Sequence, residues 1–404
     1  IAAVLALLIS AAVWLIGVET KDSALLSRSD YLFSQFPVIL SYISKILMPV
    51  NLNVDYDIPV YTSLTETIPL LSFLALILII SGAWMLRKSH RLYALGILFL
   101  LASLTLESTL FPIRDLMADH RVYTGLAGFS LIASQFLYSL KNRPLQYIIT
   151  ITSLVVLSGL TISRNQIWQS PISLWKDAAG KSPDKSRPWT NLGFAYYNNG
   201  NFKDAENCYE KAVKINPGDY AAWNNMGILA YEQKKYFKAI RCFRKSFSAN
   251  NRYLPALNNI GKVLTDMKLY YHALFIFNHI LHYYPYDNNI MYNKAVCHEN
   301  LNEPEMAEKL YLTIIASDPA FTSAAFNLGV LKMNEEKDQE AEYYFKYVSE
   351  RNPNDNEALN NLAIIYYRNG RKNEAIEILK SILKNDPHHK NARNNLNIIL
   401  LENL

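Results

Sequence analysis

An asparagine recurs every 34 residues through the C-terminal half of this 404-residue chain. The seven copies, which we call the asparagine ladder, are Asn191, Asn225, Asn259, Asn293, Asn327, Asn361 and Asn395. Such a fixed period indicates one structural unit copied along the chain, because each copy buries its apolar face only against its neighbours. The C-terminal half is therefore expected to fold as a solenoid of short repeats.

Other residues follow the same period and show what each unit contains. In the first unit the recurring positions are Trp189, Leu192, Gly193, Tyr196, Ala205, Tyr209, Ala212 and Pro217. Gly193 and Ala205 are small enough for two helices to cross closely, and Pro217 ends the second helix. This pattern resembles the tetratricopeptide repeat (TPR), in which helix A and helix B pack antiparallel within 34 residues.

The TPR frame predicts the organisation of the C-terminal half. We expect a junction with half a repeat at 166–185, six repeats at 186–389 and a capping helix at 390–404. No catalytic motif interrupts these repeats. The fold of this half is therefore expected to be an α-solenoid superhelix.

Two interpretations of the asparagine ladder are open. Its members occupy a helix A position that faces the concave groove of TPR proteins. A row of side-chain amides there can bind the backbone of an extended peptide by donating and accepting hydrogen bonds. Alternatively, asparagine at this position caps or bridges nearby backbone and has only a local structural role.

The first 165 residues are far more apolar than the repeats. Five segments are each long enough to cross a hydrocarbon core of about 30 Å as a helix; they are 1–18, 68–86, 92–110, 123–140 and 145–163. A sixth segment, 31–49, contains Gln35 and Lys45, so it either spans within a bundle or forms an interfacial or re-entrant helix. We therefore predict an all-α chain with a polytopic transmembrane bundle of five or six helices at 1–165.

Basic loops predict the orientation in the membrane. Arg87, Lys88 and Arg91 join one pair of apolar segments, and Lys141 and Arg143 join another. Loops rich in Lys and Arg stay in the cytoplasm, so the last segment should leave the membrane on the opposite side. We expect a multi-pass protein of the inner membrane whose repeats lie in the periplasm.

A cluster of charges at a predicted helix–loop–helix junction is the strongest candidate for chemistry. Its members are Glu107, Arg114, Asp115, Asp119, His120 and Arg121. Charges at the membrane surface are costly unless they pair or hold a ligand, and arginine offers a phosphate a planar fork of donors. The alternative is an ordinary network in which Arg114 and Arg121 pair with Asp115 and Asp119.

Two weaker candidates involve possible metal ligands. Asp55 and Asp57 form an Asp-x-Asp motif in the loop after residues 31–49, and such a motif can hold a divalent cation against a phosphate. The alternative is a pair of turn residues with exposed side chains. No third ligand is evident around His279 and His282, so no metal is expected there.

The two loop motifs and their order resemble a known family. The chain contains, in this order, membrane segments, the loop motif at 49–59, the junction motif at 114–123, Trp175 and TPR units. This order is similar to that of bacterial relatives of the transmembrane and TPR O-mannosyltransferases, which are polytopic glycosyltransferases of the GT-C class. The resemblance covers nearly the whole chain, which would correspond to the C-terminal part of such an enzyme.

The resemblance implies transfer of a sugar from a polyprenyl-phosphate donor to Ser or Thr hydroxyls of proteins, with no further cofactor. In that family a junction arginine is expected to hold the lipid phosphate as it leaves. Arg121 matches this arginine, and His120 and Tyr123 match its neighbours. The sequence departs from the family where Asp119 replaces the usual Glu and where Thr-Gly replaces Leu-Pro after Tyr123.

The same resemblance places the catalytic base elsewhere. The GT-C class uses an acidic residue of its first outer loop, and that loop would precede Ile1. The chain opens on Ile rather than Met, so we interpret it as the C-terminal part of a longer protein. This part alone is expected to be inactive.

Two functional classes are therefore open. The first is a membrane glycosyltransferase whose TPR arm binds extended or unfolded protein segments. The second is a non-catalytic, membrane-anchored TPR scaffold that uses the same groove for protein–protein interaction. In both cases the expected partners are membrane lipid and protein segments. The formal charge of +5, with basic and acidic residues interspersed along the TPR faces, gives no case for nucleic acid.

Overall fold

The structure, a computed structural model, describes residues 26–109 and 115–401, and at 106–109 only the backbone. All regular structure in these ranges is helical, so the all-α prediction is confirmed for the described chain. The chain divides into two compact units, Ile1–Ala222 (unit 1) and Trp223–Leu404 (unit 2). The predicted membrane segment 1–18 and the predicted site residue Arg114 lie outside the described residues.

Unit 1 contains the apolar helices, half a repeat and the first full helix pair. Its helices are α1 (Arg28–Leu47), α2 (Thr67–Leu86), α3 (Arg91–Thr109), a 3-10 helix (Asp119–Val122), α4 (Gly125–Ser139), α5 (Arg143–Ile167), α6 (Pro171–Lys181), α7 (Ser186–Asn198) and α8 (Phe202–Ile215). A further helix, α9 (Tyr220–Glu232), contains the boundary between the units.

Glycines let α3 and α4 cross at backbone distance. A Cβ atom at Gly96 would lie 2.7 Å from the carbonyl oxygen of Gly128, and one at Gly128 would lie 2.6 Å from that of Gly96. Tyr42 of α1 and Leu104 of α3 are fully buried beside this crossing. Helices α1 to α4 thus share one apolar core.

Two of the described helices, α2 and α5, are long and apolar enough to cross a membrane. A shorter apolar stretch, residues 91–105, lies in α3, and α4 has 15 residues where the sequence predicts a span of 123–140. The prediction of five or six spans is supported for α2 and α5, and the other segments stay predictions. None of the residues of α5 is buried in the structure.

Unit 2 continues the helical pairs. After α9 come α10 (Tyr236–Ala249), α11 (Leu254–Asp266), α12 (Tyr270–Tyr283), α13 (Asn288–Asn300), α14 (Pro304–Ser317), α15 (Thr322–Asn334), α16 (Asp338–Arg351), α17 (Asn356–Arg368), α18 (Lys372–Asn385) and α19 (Lys390–Leu401). Helices A and B alternate along this series, as the TPR frame predicts.

In four of the pairs a glycine of helix A meets an aromatic ring of helix B. A Cβ atom at Gly227 would lie 2.5 Å from the ring of Phe243, and one at Gly261 would lie 2.4 Å from Phe277. The ring of helix B therefore fills the space that glycine leaves empty. This contact explains the small residue of the repeat pattern by packing rather than by backbone flexibility.

Candidate functional site

Asp55 lies at the centre of an ion-pair network in unit 1. Its side chain is 1% exposed and pairs with Lys185 and with Arg187, whose Nε lies 2.5 Å from Oδ2. Burial alone would raise the pKa of Asp55, but the hydrogen bonds from Arg187 and Lys185 outweigh it and hold this pKa below its ordinary value. The interpretation of Asp55 as an exposed turn residue is wrong, whereas Asp57 is exposed.

The loop that contains Asp55 packs onto the start of the repeats. We call the contact between residues 51–57 and 181–187 the loop joint. Besides the pairs of Asp55, four hydrogen bonds of 2.7–2.9 Å join the two segments: Lys181 Nζ to Leu52 O, Asn53 Nδ2 to Ser182 Oγ, Ser182 Oγ to Asp55 O, and Lys185 Nζ to Tyr56 O. Within unit 1 the first repeat is therefore held against the loop after α1.

Asp119 belongs to a second network beside the loop joint. It accepts a hydrogen bond of 2.7 Å from the hydroxyl of Tyr56 and pairs with Arg164 at 3.4 Å. Burial raises the pKa of Asp119 above its ordinary value, because hydrogen bonding and nearby cations only partly offset it. Arg164 also pairs with Asp177 of α6 at 3.1 Å, so this network links the 3-10 helix to α5 and α6.

Arg121 is buried, with 5% of its surface exposed. Its guanidinium donates to the carbonyl oxygens of Asp115 and Leu116 at 2.8 and 3.3 Å. The Asp115 carboxylate instead pairs with Arg187 at 2.7 Å. The junction is thus a charge network, as one alternative predicts, but Arg121 has backbone partners rather than the predicted carboxylates of Asp115 and Asp119.

The other predicted phosphate ligands occupy different surroundings. His120 is exposed next to Arg121, and Tyr123 is 69% exposed. The side chain of Glu107 lies outside the described residues. His120, Arg121 and Tyr123 are therefore neighbours in the chain, while only Arg121 enters the packed interior.

The asparagine ladder in unit 2 joins successive A helices through side chains. Four ladder amides each donate from Nδ2 to the side chain 35 residues earlier: Asn259 to Asn224 (3.1 Å), Asn293 to Asn258 (2.9 Å), Asn327 to the hydroxyl of Tyr292 (3.1 Å) and Asn395 to Asn360 (2.9 Å). The equivalent position for Asn361 is Phe326, which has no acceptor. Asn225 and Asn361 are half-buried like the others.

Asn191, the first member of the asparagine ladder, lines a pocket of about 440 Å³ in unit 1. The apolar part of its wall includes Trp175 of α6 and Phe194 of α7, and Phe194 is 50% exposed. Asn198 and Asn199 add two more amides, and no charged residue lines the pocket. The site can therefore accommodate an uncharged side chain beside an amide that can bind backbone.

Metal ligands do not cluster in the part of the chain that the structure describes: no group of three or more His, Cys, Asp or Glu residues there could hold a metal ion. His279 and His282 instead lie against the ring of Tyr283, with ring centroids 5.4 and 5.0 Å apart.

Several residues of these networks were not identified from the sequence. Lys185, Arg187 and Ser182 bind the loop of Asp55 from about 130 residues away, and no local pattern indicates such a contact. Three of the four acceptors of the asparagine ladder could have been found, because Asn224, Asn258 and Asn360 follow the same 34-residue frame as the ladder itself.

Comparison with known proteins identifies TPR sequences in both unit 1 and unit 2. Models of the tetratricopeptide repeat match residues 186–219, 208–241 and 335–396. Among solved structures, PilW, described as a widely conserved type IV pilus biogenesis factor, is 24% identical with a TM-score of 0.48, over 52% of this chain and 98% of PilW.

Curated relatives are protein O-mannosyl-transferases. The Caenorhabditis elegans protein O-mannosyl-transferase F38B6.6 is 25% identical over 205 residues, 49% of this chain and 29% of the relative. The mouse protein O-mannosyl-transferase TMTC3 is 25% identical over 113 residues, 27% of this chain and 12% of the relative. The chain thus spans less than a third of either relative; it contains TPR units and is similar to this group of transferases.

Proposed function

We propose that this chain is part of a membrane-embedded protein O-glycosyltransferase-like protein, and that its asparagine ladder binds extended segments of the proteins to be modified. The similarity to O-mannosyl-transferases and the TPR units support this proposal. The observation that carries it is the pairing of ladder amides between successive A helices.

The pairing orients the ladder amides without exhausting them. An asparagine amide has two N–H groups and an acceptor oxygen. When Asn259 or Asn293 donates one N–H to the preceding repeat, a donor and an acceptor remain on the same amide. An extended peptide needs both at regular intervals for its backbone, so a half-buried amide in each repeat suits it.

The pocket beside Asn191 supports the same role in unit 1. Trp175 and Phe194 provide an apolar wall next to the ladder amide. A bound segment could place one apolar side chain there while Asn191 binds its backbone. Because the ladder binds the backbone of the peptide, we expect it to bind extended chains of many sequences rather than one sequence motif.

The surface of α5 supports membrane insertion. This helix has 25 residues, and its most apolar 18-residue stretch has a mean hydropathy of 1.8. None of its residues is buried. A large exposed apolar surface is costly in water and marks a membrane or partner contact. We propose an inner-membrane protein with its repeats on the periplasmic side, in accord with the basic loops at 87–91 and 141–143.

For the transfer itself we propose a polyprenyl-phosphate sugar as donor, with no further cofactor. Arg121, His120 and Tyr123, with Arg114, are the proposed contacts of the lipid phosphate. Arg121 donates to two carbonyl oxygens, and a guanidinium has five N–H groups, so donors remain for a phosphate. The carboxylate that deprotonates the acceptor is proposed to lie upstream of Ile1.

A second candidate is the non-catalytic TPR scaffold. One observation favours it: the carboxylates of Asp55 and Asp119 are both bound by other side chains of this chain. Asp119 is bound by Tyr56 and Arg164, and Asp55 by Lys185 and Arg187. A purely structural network would look the same, and the asparagine ladder would then bind protein segments without catalysis.

Peptide binding by paired variants tests the function of the ladder. We expect Asn259→Ala with Asn293→Ala to weaken binding of a fluorescein-labelled, unstructured Ser/Thr-rich peptide by at least about 30-fold, taking about 1 kcal/mol for at least one lost hydrogen bond at each amide. The full chain is held in lipid nanodiscs, and binding is measured by fluorescence anisotropy.

The matched control removes the acceptors instead. Asn224→Ala with Asn258→Ala breaks the same two inter-repeat hydrogen bonds but keeps the ladder amides. It should weaken peptide binding only about threefold, because the ladder amides lose part of their orientation but keep every group that binds the peptide. Equal losses in both variants would show that the asparagines act only on the repeat fold.

A further inference from the structure

The positive charge of this chain is concentrated in residues 233–286. This stretch contains nine Lys and Arg residues and a single acidic residue, Asp266, for a net charge of +8, whereas the whole chain carries +5. The rest of the sequence is therefore slightly acidic. The expectation that basic and acidic residues are interspersed along the TPR faces is wrong for this stretch.

Three basic residues of this stretch lie together on the exposed side of α10. Arg241, Arg244 and Lys245 are exposed, and with Phe237 they line a shallow groove of about 410 Å³. Lys245 Nζ lies 4.0 Å from the centroid of the Trp223 ring. Among the described residues no ion pair joins Arg241, Arg244 or Lys245 to a carboxylate, so these charges are not neutralised within the protein.

Aromatic side chains accompany the charges. Phe237 of α10 is 80% exposed, and on α12 Tyr271 is 70% and Phe275 73% exposed. Tyr271 stands 34 residues after Phe237, and Phe275 stands 34 residues after Arg241, so all four occupy the same face of helix B. A folded domain seldom leaves this much aromatic surface in water without a partner.

We propose that this basic–aromatic face, made of Phe237, Arg241, Arg244, Lys245, Tyr271 and Phe275, binds the surface of a bilayer that contains anionic lipid. Lysine and arginine attract anionic headgroups, and tyrosine favours the headgroup region because its ring is apolar and its hydroxyl polar. Phenylalanine can insert at the boundary between headgroups and acyl chains. Two helices of this chain are long and apolar enough to cross a membrane. This inference rests on the proposed membrane insertion, which would bring the repeats near a bilayer.

The basic–aromatic face is separate from the asparagine ladder. Its residues lie on helix B of two repeats, whereas the ladder lies on helix A. Lipid binding would therefore leave the ladder amides free for peptide. The two surfaces can be changed independently by substitution.

Vesicle flotation tests the proposal. The full chain is held in nanodiscs of neutral phosphatidylcholine and mixed with vesicles of phosphatidylcholine alone or with added phosphatidylglycerol. We expect co-flotation with the anionic vesicles only. Hydrogen exchange in α10 and α12 should slow in the same samples, which locates the contact.

Charge reversal gives the quantitative comparison. Each basic side chain near an anionic surface contributes roughly a factor of five to binding, so R241E with R244E and K245E should weaken it by more than about a hundredfold. Phe237→Ser with Phe275→Ser changes only exposed side chains and should also weaken it. The control K380E with K384E and K390E reverses three exposed charges elsewhere in unit 2 and should leave vesicle binding within severalfold of wild type.

Three results would overturn the proposal. The first is equal flotation with neutral and anionic vesicles, and the second is equal loss in the control and in the triple variant of α10. The third is slowed exchange in α10 and α12 with polyglutamate or RNA but not with anionic vesicles, which would assign the face to an acidic macromolecule. Circular dichroism of each variant confirms that its helices are intact.

Discussion

At the scale of single residues, Asp55 and Asp119 show how burial and partners compete. Both carboxyls lie beside the loop joint, but Lys185 and Arg187 lower the pKa of Asp55, while burial raises that of Asp119. The free energy that Asp55 adds to folding is complete above its unfolded pKa of about 3.9 and is lost as pH falls through its folded value. For Asp119 the contribution is complete below the unfolded pKa and is lost as pH rises through the folded one.

Because the pKa shifts of Asp55 and Asp119 have opposite signs, replacing each by asparagine should affect stability differently. Asp55→Asn should lower the stability of unit 1 by about 3 kcal/mol at pH 7, because it leaves Lys185 without its carboxylate and Arg187 with that of Asp115 alone. Asp119→Asn should not lower it, because ionised Asp119 is itself penalised by burial. Apparent melting temperatures at pH 7 provide the measurement.

The pH series gives the control for this comparison. The difference between wild type and Asp55→Asn should shrink as pH falls below about 4. A difference that is unchanged at low pH, or an Asp119→Asn variant as unstable as Asp55→Asn, would contradict the assigned pKa shifts.

The ladder and the loop joint also show the limit of sequence reasoning at this scale. A 34-residue period was visible for the ladder and its acceptors alike, because both are copied with the repeat. The partners of Asp55 are 132 residues away at Arg187, and pairing over that distance depends on tertiary packing. One of the two interpretations of the junction pairs Arg121 with carboxylates, but in the structure Arg121 donates to carbonyl oxygens of its own loop.

At the scale of elements, the turn between helices A and B repeats more regularly than its sequence does. One residue per repeat has a positive φ between 57° and 78°: Gly200, Lys234, Lys268, Asn302, Glu336 and Gly370. In each turn the next residue donates its N–H five residues back, as Lys337 does to Lys332 at 2.9 Å. This is the Schellman arrangement, which requires a left-handed residue.

Because only two of the six turn residues are glycine, the turn geometry could not be predicted from residue type. The hydrogen bonds of the turn and the helix packing impose it on lysine, asparagine and glutamate, at a cost of about 1 kcal/mol each. The existence of each helix pair, in contrast, follows from the periodic apolar residues.

This cost predicts a stabilising substitution. Glu336→Gly should raise the free energy of unfolding of unit 2 by about 0.5–1 kcal/mol, because glycine adopts positive φ without a steric penalty. Glu336 is exposed, so few contacts are lost. Chemical denaturation followed by circular dichroism measures the effect.

The reverse change serves as the matched control. Gly370→Ala introduces a Cβ at φ +75° with no atom within 4 Å of it, so the backbone alone should cost about 1 kcal/mol. If Glu336→Gly destabilises the repeats as Gly370→Ala does, the positive φ of the turn residues does not lower the free energy of unfolding.

At the scale of the whole molecule, the sequence separates an apolar part from a repeat part, and the structure adds how they are joined within unit 1. Periodicity predicts the repeats because every copy makes the same contacts with its neighbours. The loop joint has no such redundancy, and it binds residues 51–57 to residues 181–187 through contacts made once. The division into compact units at Ala222 likewise follows from contacts and not from composition.

The central proposal is a TPR arm outside the membrane that binds extended protein chains. Labelling with a membrane-impermeant thiol reagent in intact bacterial cells with a permeabilised outer membrane tests it most directly. A variant with its three native cysteines replaced receives one cysteine at the exposed position Ser381 of α18, or at exposed Lys88 in the basic loop after α2. We predict that Ser381→Cys is labelled in intact cells and Lys88→Cys only after lysis. Labelling of Lys88→Cys in intact cells, with Ser381→Cys protected until lysis, would place the repeats in the cytoplasm and contradict the proposal.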